Sequence, residues 1–204
     1  MATIHLQTWF DSPTPTLGWD PRADVLGGFP QPLNSMHLRD AYLPTETWSG
    51  ASVPGGLLYA SGPFGAGWTA DSTDPAARAS SQAAAAVQAL DWLTDEAWKA
   101  LPAAQTGTPP QLDLDVLFAP AHPAAPLKDQ YVRRNIDRSS RYVLAVPGGL
   151  ADRPAPVVAS VGNLRLVGDW TRNGVDIPCI EATVVSALRA AESILGEDLD
   201  VLGV

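Results

Sequence analysis

The sequence predicts an α/β protein of the mixed α+β kind, and three stretches carry this prediction. Thr3–Phe10 alternates apolar and polar residues as a half-buried strand does, and residues 57–61 form a second apolar run. A helical middle begins at Asp74, and residues 163–196 have the pattern of a strand, a turn and a helix. Because we find no internal repeat, this order of elements favours a mixed sheet over a repeat array.

The first predicted strand has two different sides, because side chains alternate along a strand. The apolar side would carry Ile4, Leu6, Thr8 and Phe10, and the other side would carry His5, Gln7 and Trp9. Pro13, Pro15 and Gly18 follow and are expected to end the strand.

Asp74 and Pro75 predict the start of a helix that runs to about residue 104. Asp74 is suited to the N-cap, and Pro75 to the first helical position, where its missing N–H has no intrahelical partner. The Ala-rich body has high helix propensity, and residues 94–96 mark a place where it would break into two helices. The predicted apolar stripe consists of Val87, Leu90, Leu93, Ala97 and Leu101.

The connecting segments are predicted from their proline, glycine and polar residues. Residues 20–34 and 105–111 are rich in Pro and Gly and are expected to be loops. Residues 127–139 predict a polar helix, and residues 141–146 a strand that ends before Pro147.

Composition and charge narrow the class of partner. The chain has 204 residues, enough to bury a core, and a formal net charge of −9 with 13 Lys and Arg. That charge argues against nucleic acid and anionic membranes, because phosphate binding needs clustered cations. The lone Cys179 excludes an internal disulfide and suits a reducing cytoplasm. No apolar run approaches the roughly 20 residues of a membrane span, and the first residues lack the pattern of a signal peptide.

Residues 163–196 are the most informative part of the chain. Residues 164–167 predict a short buried strand, and Pro178 is suited to the first turn of the helix that follows. Glu181 complements the positive end of that helix, and Gly196 is suited to the left-handed conformation that ends it. The stripe expected to pack on the strand consists of Ile180, Val184, Leu188, Ala191 and Leu195.

The turn of this unit is a candidate binding site. Asp169 would lie at the carboxyl end of the strand, and the N–H groups around residues 179–181 would point toward the same place. Such an arrangement suits an anionic or hydrogen-bond-accepting ligand. Spacing alone gives greater weight to a plainer interpretation, in which Asp169 caps or braces a loop, because this pattern is common in α/β proteins.

The residue identities of this unit carry a resemblance. Gly168-Asp169-Trp170-Thr171, then Gly174, Cys179-Ile180-Glu181-Ala182 and the small-residue run 186–191 resemble the last cofactor-binding segment of one flavoprotein superfamily. That superfamily holds the FAD-dependent amine oxidases and the phytoene-desaturase-like oxidoreductases. The cofactor-binding residues that the resemblance implies are Gly168, Asp169, Trp170, Pro178, Cys179, Ile180 and Glu181.

The resemblance also implies a role for each part of the segment. Asp169 would contact the ribityl and pyrophosphate region of FAD, and the backbone of Cys179 and Ile180 would lie beside the flavin carbonyl. The family commonly has Gly where Ala182 and Ala187 lie, so an extra methyl could hold the helix slightly away from the cofactor. Cys179 is not where some relatives attach the flavin covalently, and we interpret it as a small packing residue.

The rest of the chain resembles the same superfamily more loosely. Its early strands look like part of a substrate domain, through Gln7-Thr8-Trp9, Leu17-Gly18-Trp19, Glu46-Thr47-Trp48 and Leu58-Tyr59-Ala60-Ser61-Gly62. The resemblance implies part of a two-domain FAD/NAD(P)-binding flavoprotein fold, with residues 1–150 as a substrate-domain-like portion and residues 151–204 as the C-terminal FAD-binding segment. The N-terminal dinucleotide-binding βαβ unit is not recognised. Residues 62–67 are glycine-rich, but their spacing is not GxGxxG and we predict a loop.

Two functions from different classes remain open. By the resemblance, the chain is the C-terminal part of an FAD-dependent oxidoreductase that passes hydride from an amine or a C–H substrate to flavin, with an incomplete FAD site. It would need a small-molecule substrate and a partner chain carrying the GxGxxG half, and we expect no activity without that half. The alternative is a non-catalytic α+β binding or subunit-interaction module that keeps the segment as scaffold. The catalytic base is not identified, and no metal is expected because His5, His37 and His122 lack ligand spacing.

Overall fold

The computed structural model describes residues 2–48, 50, 52–63, 73–137, 140 and 147–199. The chain divides into two compact units, residues 2–141 and residues 142–204. The sequence predicts a boundary between residues 150 and 151. The predicted strand at residues 141–146 and residues 64–67 of the predicted glycine-rich loop lie outside the described residues.

The first unit is built around an antiparallel sheet. Its strands are β1 (Thr3–Phe10), β2 (Val25–Gly27), β3 (Ser35–Leu38), β4 (Gly56–Pro63), β5 (Gln105–Thr106), β6 (Gln111–Leu112) and β7 (Tyr131–Asn135). Five of them form one sheet in the order β2–β3–β4–β1–β7, and β5 pairs with β6. The prediction of a mixed α/β protein is confirmed at this level, with an antiparallel sheet and few helices in the described part of the chain.

Strand β1 confirms the predicted strand at both of its ends. Ile4, Leu6 and Phe10 are fully buried on one side, as the alternation predicted. His5 and Gln7 lie on the opposite side of the sheet, where they face Ser61 and Tyr59 across the pairing with β4. The predicted loop at residues 20–34 contains the short edge strand β2, which pairs with β3.

Helix α1 (Pro75–Glu96) begins where the sequence predicted. The Asp74 side chain accepts a hydrogen bond from the Ala76 N–H at 2.9 Å, and Pro75 occupies the first turn. The helix ends at Glu96 and is followed by short 3-10 helices at Ala97–Lys99 and Pro102–Ala104. It therefore breaks within the predicted residues 94–96 rather than running on as one helix to residue 104.

The apolar face of α1 is only partly the predicted one. Leu93 is buried, as are Ala97 and Leu101 beyond the helix end, but Val87 is 58% exposed. The buried positions of the helix are Ser81, Ala85, Ala89, Trp92 and Leu93. Ala85, Ala89, Trp92 and Leu93 share one core cluster with Ile4 and Leu6 of β1. Val87 is two residues from both Ala85 and Ala89 and therefore lies on the opposite side of the helix.

The predicted polar helix at residues 127–139 is wrong. The structure has a short 3-10 helix at Pro126–Asp129, followed by strand β7. β7 pairs antiparallel with β1, so that Asn135 lies opposite Thr3 and Tyr131 opposite Gln7. Pairing with a strand more than a hundred residues earlier decides this conformation, because strand formation depends on the neighbour more than on local propensity.

The second unit is described from residue 147 to residue 199. Its regular elements there are a 3-10 helix at Gly149–Asp152 and helix α2 (Ile180–Leu195). The buried strand predicted at residues 164–167 is wrong. Arg165 makes one isolated bridge to Val157, and Leu164 and Val167 are exposed. A strand needs a neighbour for its backbone donors and acceptors, and the described residues of this unit supply only that short contact.

Candidate functional site

Helix α2 begins and ends close to the residues that the sequence predicts. The helix begins at Ile180, two residues after Pro178, and the Cys179 side chain caps it by accepting a hydrogen bond from the Ala182 N–H at 3.4 Å. Gly196 ends the helix with a φ of 70°, and its N–H donates to the Glu192 carbonyl at 2.9 Å. The predicted left-handed glycine at the helix end is therefore confirmed.

The predicted apolar stripe of α2 is half-buried at Leu188 and Ala191 but exposed at its other three residues. Ile180 is 79% exposed, Val184 is 49% exposed and Leu195 is 60% exposed. The buried positions of the helix are instead Ala182, Val185, Ser186 and Ala190. No strand among residues 147–199 covers the larger residues, and α2 buries mainly its small ones.

The turn at Gly168 is attached to this buried face. The Gly168 N–H donates to Ser186 Oγ at 2.7 Å, and the Gly168 carbonyl accepts from the Thr171 N–H and hydroxyl at 3.2 and 2.8 Å. Gly168 has a φ of +143°, and a Cβ at this residue would lie 2.4 Å from Nε1 of Trp170. Only glycine fits both the backbone conformation and the space.

Asp169 follows this anchored glycine and is held from its other side by Arg153. Arg153 Nη1 donates to the Asp169 carbonyl at 2.9 Å, and the Arg153 side chain is almost fully buried. No described residue donates a hydrogen bond to the Asp169 carboxylate. The backbone of Asp169 is thus fixed while its carboxylate has no protein partner in this part of the chain.

Arg153 is a site residue that the sequence analysis missed. Its second terminal nitrogen, Nη2, is buried and has no acceptor in the part of the chain that the structure describes. Arg153 lies in a segment rich in Pro and Ala, 16 residues before Asp169, and no motif marks it. Only the folded chain brings this guanidinium to the Asp169 turn.

The start of α2 is open to solvent. Pro178, Ile180 and Glu181 are exposed, and Cys179 is half-buried. Hydrogen bonds from its own backbone N–H and from Cys179 hold the pKa of Glu181 below its usual range. Within residues 147–199, no acceptor takes a hydrogen bond from the Ile180 N–H. A free amide at this end of the helix favours a negatively charged or hydrogen-bond-accepting group.

The structure brings the predicted site residues to one helix but not to one point. Gly168 contacts Ser186, which lies six residues after Ile180 and therefore about 9 Å along the helix axis from the helix start. Gly168 is thus attached to the second turn of α2 and is followed by Asp169 and the 40% exposed Trp170, whereas residues 178–181 lie at the helix start. The arrangement suits an elongated ligand better than a compact one.

A cavity of about 470 Å³ lies against the other end of α2. It is lined by Ala155, Pro156, Val157, Arg172, Asn173, Arg189, Glu192 and Ser193. Arg189 pairs with Glu192 at 3.1 Å across this wall. The helix residues of the cavity lie roughly 13–20 Å along the axis from the helix start, so the cavity is separate from residues 178–181.

Among the described residues, no group of three His, Cys, Asp or Glu side chains could hold a metal ion. No helix of these residues has the length and hydropathy needed to cross a membrane. Comparison of the chain with protein-family models, with curated proteins and with solved structures gives no match.

Proposed function

We propose that this chain is the C-terminal part of an FAD-dependent oxidoreductase of the amine-oxidase or phytoene-desaturase kind. The observation that carries the proposal is the state of Asp169. A carboxylate that braces or caps a loop accepts hydrogen bonds from that loop, whereas none of the described residues donates to Asp169. The Asp169 backbone is nevertheless held by Arg153 and, through Gly168, by Ser186.

These residues fit the middle of an FAD molecule. The Asp169 carboxylate would accept hydrogen bonds from ribityl hydroxyls, which are donors that a carboxylate without partners can satisfy. The Ile180 N–H, at the positive end of α2, would face a carbonyl of the isoalloxazine ring and favour negative charge there. When bound, the flavin would supply the acceptor for a hydride from an amine or a C–H substrate.

The adenine end of FAD would be held by a GxGxxG unit that the resemblance does not locate in this chain. We propose that another part of the protein, or a partner chain in the same cytoplasmic compartment, supplies it. The residues of the Asp169 turn and the α2 start would then complete a shared site. Ala182, where the superfamily commonly has glycine, is fully buried, so its methyl packs against protein.

The test is an FAD titration of the protein co-purified with the chain that carries the GxGxxG unit. We expect a yellow preparation with a flavin spectrum, and an Asp169→Ala variant that binds FAD at least about tenfold more weakly, because charge-assisted hydrogen bonds are lost. Asp198→Ala is the matched control, since Asp198 is an exposed carboxylate of the same unit. Equal FAD affinity of the Asp169→Ala variant and the original protein would refute the role of Asp169.

The second candidate function is a non-catalytic subunit-interaction module. The exposed side of α2 favours it, because Ile180, Ile194 and Leu195 are each at least 60% exposed and exposed apolar patches often mark protein interfaces. In that case the co-purified assembly would be colourless, and Ile180→Glu would release the partner chain. A flavin spectrum that is lost on mutation of Asp169 would rule out this second function.

A further inference from the structure

The sheet of the first unit has a polar and aromatic face opposite the apolar face that contains Ile4 and Leu6. The strand registers place side chains of four strands on this polar face: Ser35 and His37 of β3, Tyr59 and Ser61 of β4, His5 and Gln7 of β1, and Tyr131 and Arg133 of β7. Small-molecule sites are concave, with aromatic and apolar walls and a few polar groups, so a ligand on this face would lie where a cavity adjoins it.

Hydrogen bonds and ring contacts fix the centre of this face. Tyr59 Oη is hydrogen-bonded to His5 Nδ1, and the His37 ring lies edge-on to the Tyr59 ring with 5.8 Å between the centroids. Asn135 Nδ2 lies 2.9 Å from His5 Nε2. Burial, and then the Arg133 charge, hold the pKa of His5 below its usual range. Near neutral pH the network is therefore uncharged and holds Tyr59 in one orientation.

A cavity of about 250 Å³ lies beside Tyr59. Gln7, Leu57 and Tyr59 line it from the sheet, and Arg39, Tyr42 and Glu46 line it from the segment after β3. This volume suits a small molecule of one ring with a short polar group. Tyr42, Tyr59 and Leu57 supply apolar surface for the ring.

Arg39 supplies the charge of this cavity. Its guanidinium carbon lies 5.8 Å from the centroid of the Tyr42 ring, and its Nη1 donates to the Leu38 carbonyl at 3.1 Å. No carboxylate of the described residues lies within 4 Å of the Arg39 guanidinium. Glu46 lines the same cavity but is exposed, so water screens its charge more strongly than that of the half-buried Arg39.

We propose that this cavity binds a small aromatic carboxylate, with the ligand carboxylate on Arg39 and its ring against Tyr42, Tyr59 and Leu57. Guanidinium groups bind carboxylates through paired hydrogen bonds, and the aromatic walls match a planar ring. The site is formed by residues of the first unit alone. It is therefore independent of the proposed flavin site.

The test is a titration of the full chain with benzoate, benzamide and benzylamine, followed by ¹H–¹⁵N NMR. We expect saturable binding of benzoate that shifts the amide signals of Gln7, Leu57 and Tyr59. Benzamide has the same shape without the charge, and we expect its binding to be at least about tenfold weaker. Tighter binding of benzylamine would show that Glu46, rather than Arg39, selects the ligand and would overturn the proposal.

Two variants test whether the charges of Arg39 and Glu46 affect benzoate binding when the sheet remains folded. Arg39→Gln is expected to weaken benzoate binding by at least about tenfold, whereas Glu46→Gln is expected to strengthen it by removing the nearby negative charge. The amide spectrum of each variant shows whether the sheet is intact. The proposal fails if benzoate does not bind saturably, or if a folded Arg39→Gln variant binds it as well as the original chain does.

Discussion

The Asp40 carboxylate accepts hydrogen bonds from both the backbone N–H and the hydroxyl of Thr14, at 3.1 and 2.8 Å, although the two residues lie 26 positions apart. The other oxygen of Asp40 accepts from the Leu57 N–H at 2.7 Å. One side chain thus joins the 3-10 helix Thr14–Leu17, which follows β1, to strand β4. Thr14 is fully buried, so its donors have little access to water if Asp40 is removed.

Replacement of Asp40 is expected to destabilise the first unit. Asp40→Ala leaves three donors without their acceptor and should lower the free energy of unfolding by about 2–4 kcal/mol. Urea unfolding followed by tryptophan fluorescence measures the change. Asp20→Asn is the control, because Asp20 pairs with Arg22 at the surface and the loss of that pair should hardly change the midpoint. Equal midpoints for both variants would contradict the role of Asp40.

Gly168→Ala is expected to disrupt the Asp169 turn. The added Cβ would lie 2.4 Å from the Trp170 ring, and the alanine would have to adopt a φ of +143°. We expect the free energy of unfolding of the second unit to fall by about 1–3 kcal/mol. Hydrogen exchange of the Gly168 amide, which is bonded to Ser186, reports the change. Gly162→Ala is the matched control, since a Cβ there meets nothing within 4 Å. Unchanged protection of residue 168 would mean that the turn accommodates a side chain.

Cys179→Ser is expected to stabilise the start of α2. The Cys179 sulfur accepts from the Ala182 N–H at 3.4 Å, and a serine hydroxyl is a better cap at this position. The gain should be about 0.5–1 kcal/mol relative to Cys179→Ala, which removes the acceptor. Thermal unfolding of the two variants, followed by circular dichroism, measures the difference. A Cys179→Ala variant as stable as Cys179→Ser would show that the side chain at 179 does not cap the helix.

Acidification from neutral pH to below 6.5 is expected to destabilise the first unit. Burial is the larger cause that lowers the pKa values of His5 and His37 from 6.5, and the charges of Arg133 and Arg39 add to it. The unfolded chain then binds protons at a higher pH than the folded chain, so stability is complete above pH 6.5 and falls as the pH drops toward the folded-state pKa values. Unfolding midpoints measured across this range test whether the stability of the first unit falls on acidification.

A His37→Gln variant should show a flatter pH dependence over the same range. NMR titration of the imidazole signals should give folded-state pKa values below 6.5 for His5 and His37. A midpoint that rises on acidification, or a His5 ring that titrates above 6.5, would contradict the assignment.

Features decided by neighbouring residues could be predicted from the sequence. The alternation in β1, the Asp74 cap of α1 and the left-handed Gly196 after α2 each depend on a few adjacent positions. They follow from side-chain alternation, from hydrogen bonding at helix ends and from the freedom of glycine. All three occur where the sequence predicted them.

Features decided by distant residues could not be predicted. Tyr131–Asn135 became a strand because β1 pairs with it, and α2 turned its larger residues outward because no strand at residues 164–167 covers them. The contact from Arg153 to the Asp169 carbonyl is of the same kind. The residue types of the Asp169 turn could be recognised from the sequence, but its attachment to the second turn of α2 depends on the Gly168–Ser186 hydrogen bond.

The outward orientation of Ile180, Val184 and Leu195 has a consequence for handling the chain in solution. Apolar side chains on one helix ridge offer a binding place for fluorescent dyes such as ANS, even when the chain is fully folded. Sulfate strengthens apolar burial and should therefore favour association of chains through this ridge. The association would raise the sedimentation coefficient at a given protein concentration. A Val184→Lys substitution on the same ridge should reduce both effects while leaving the helix content unchanged.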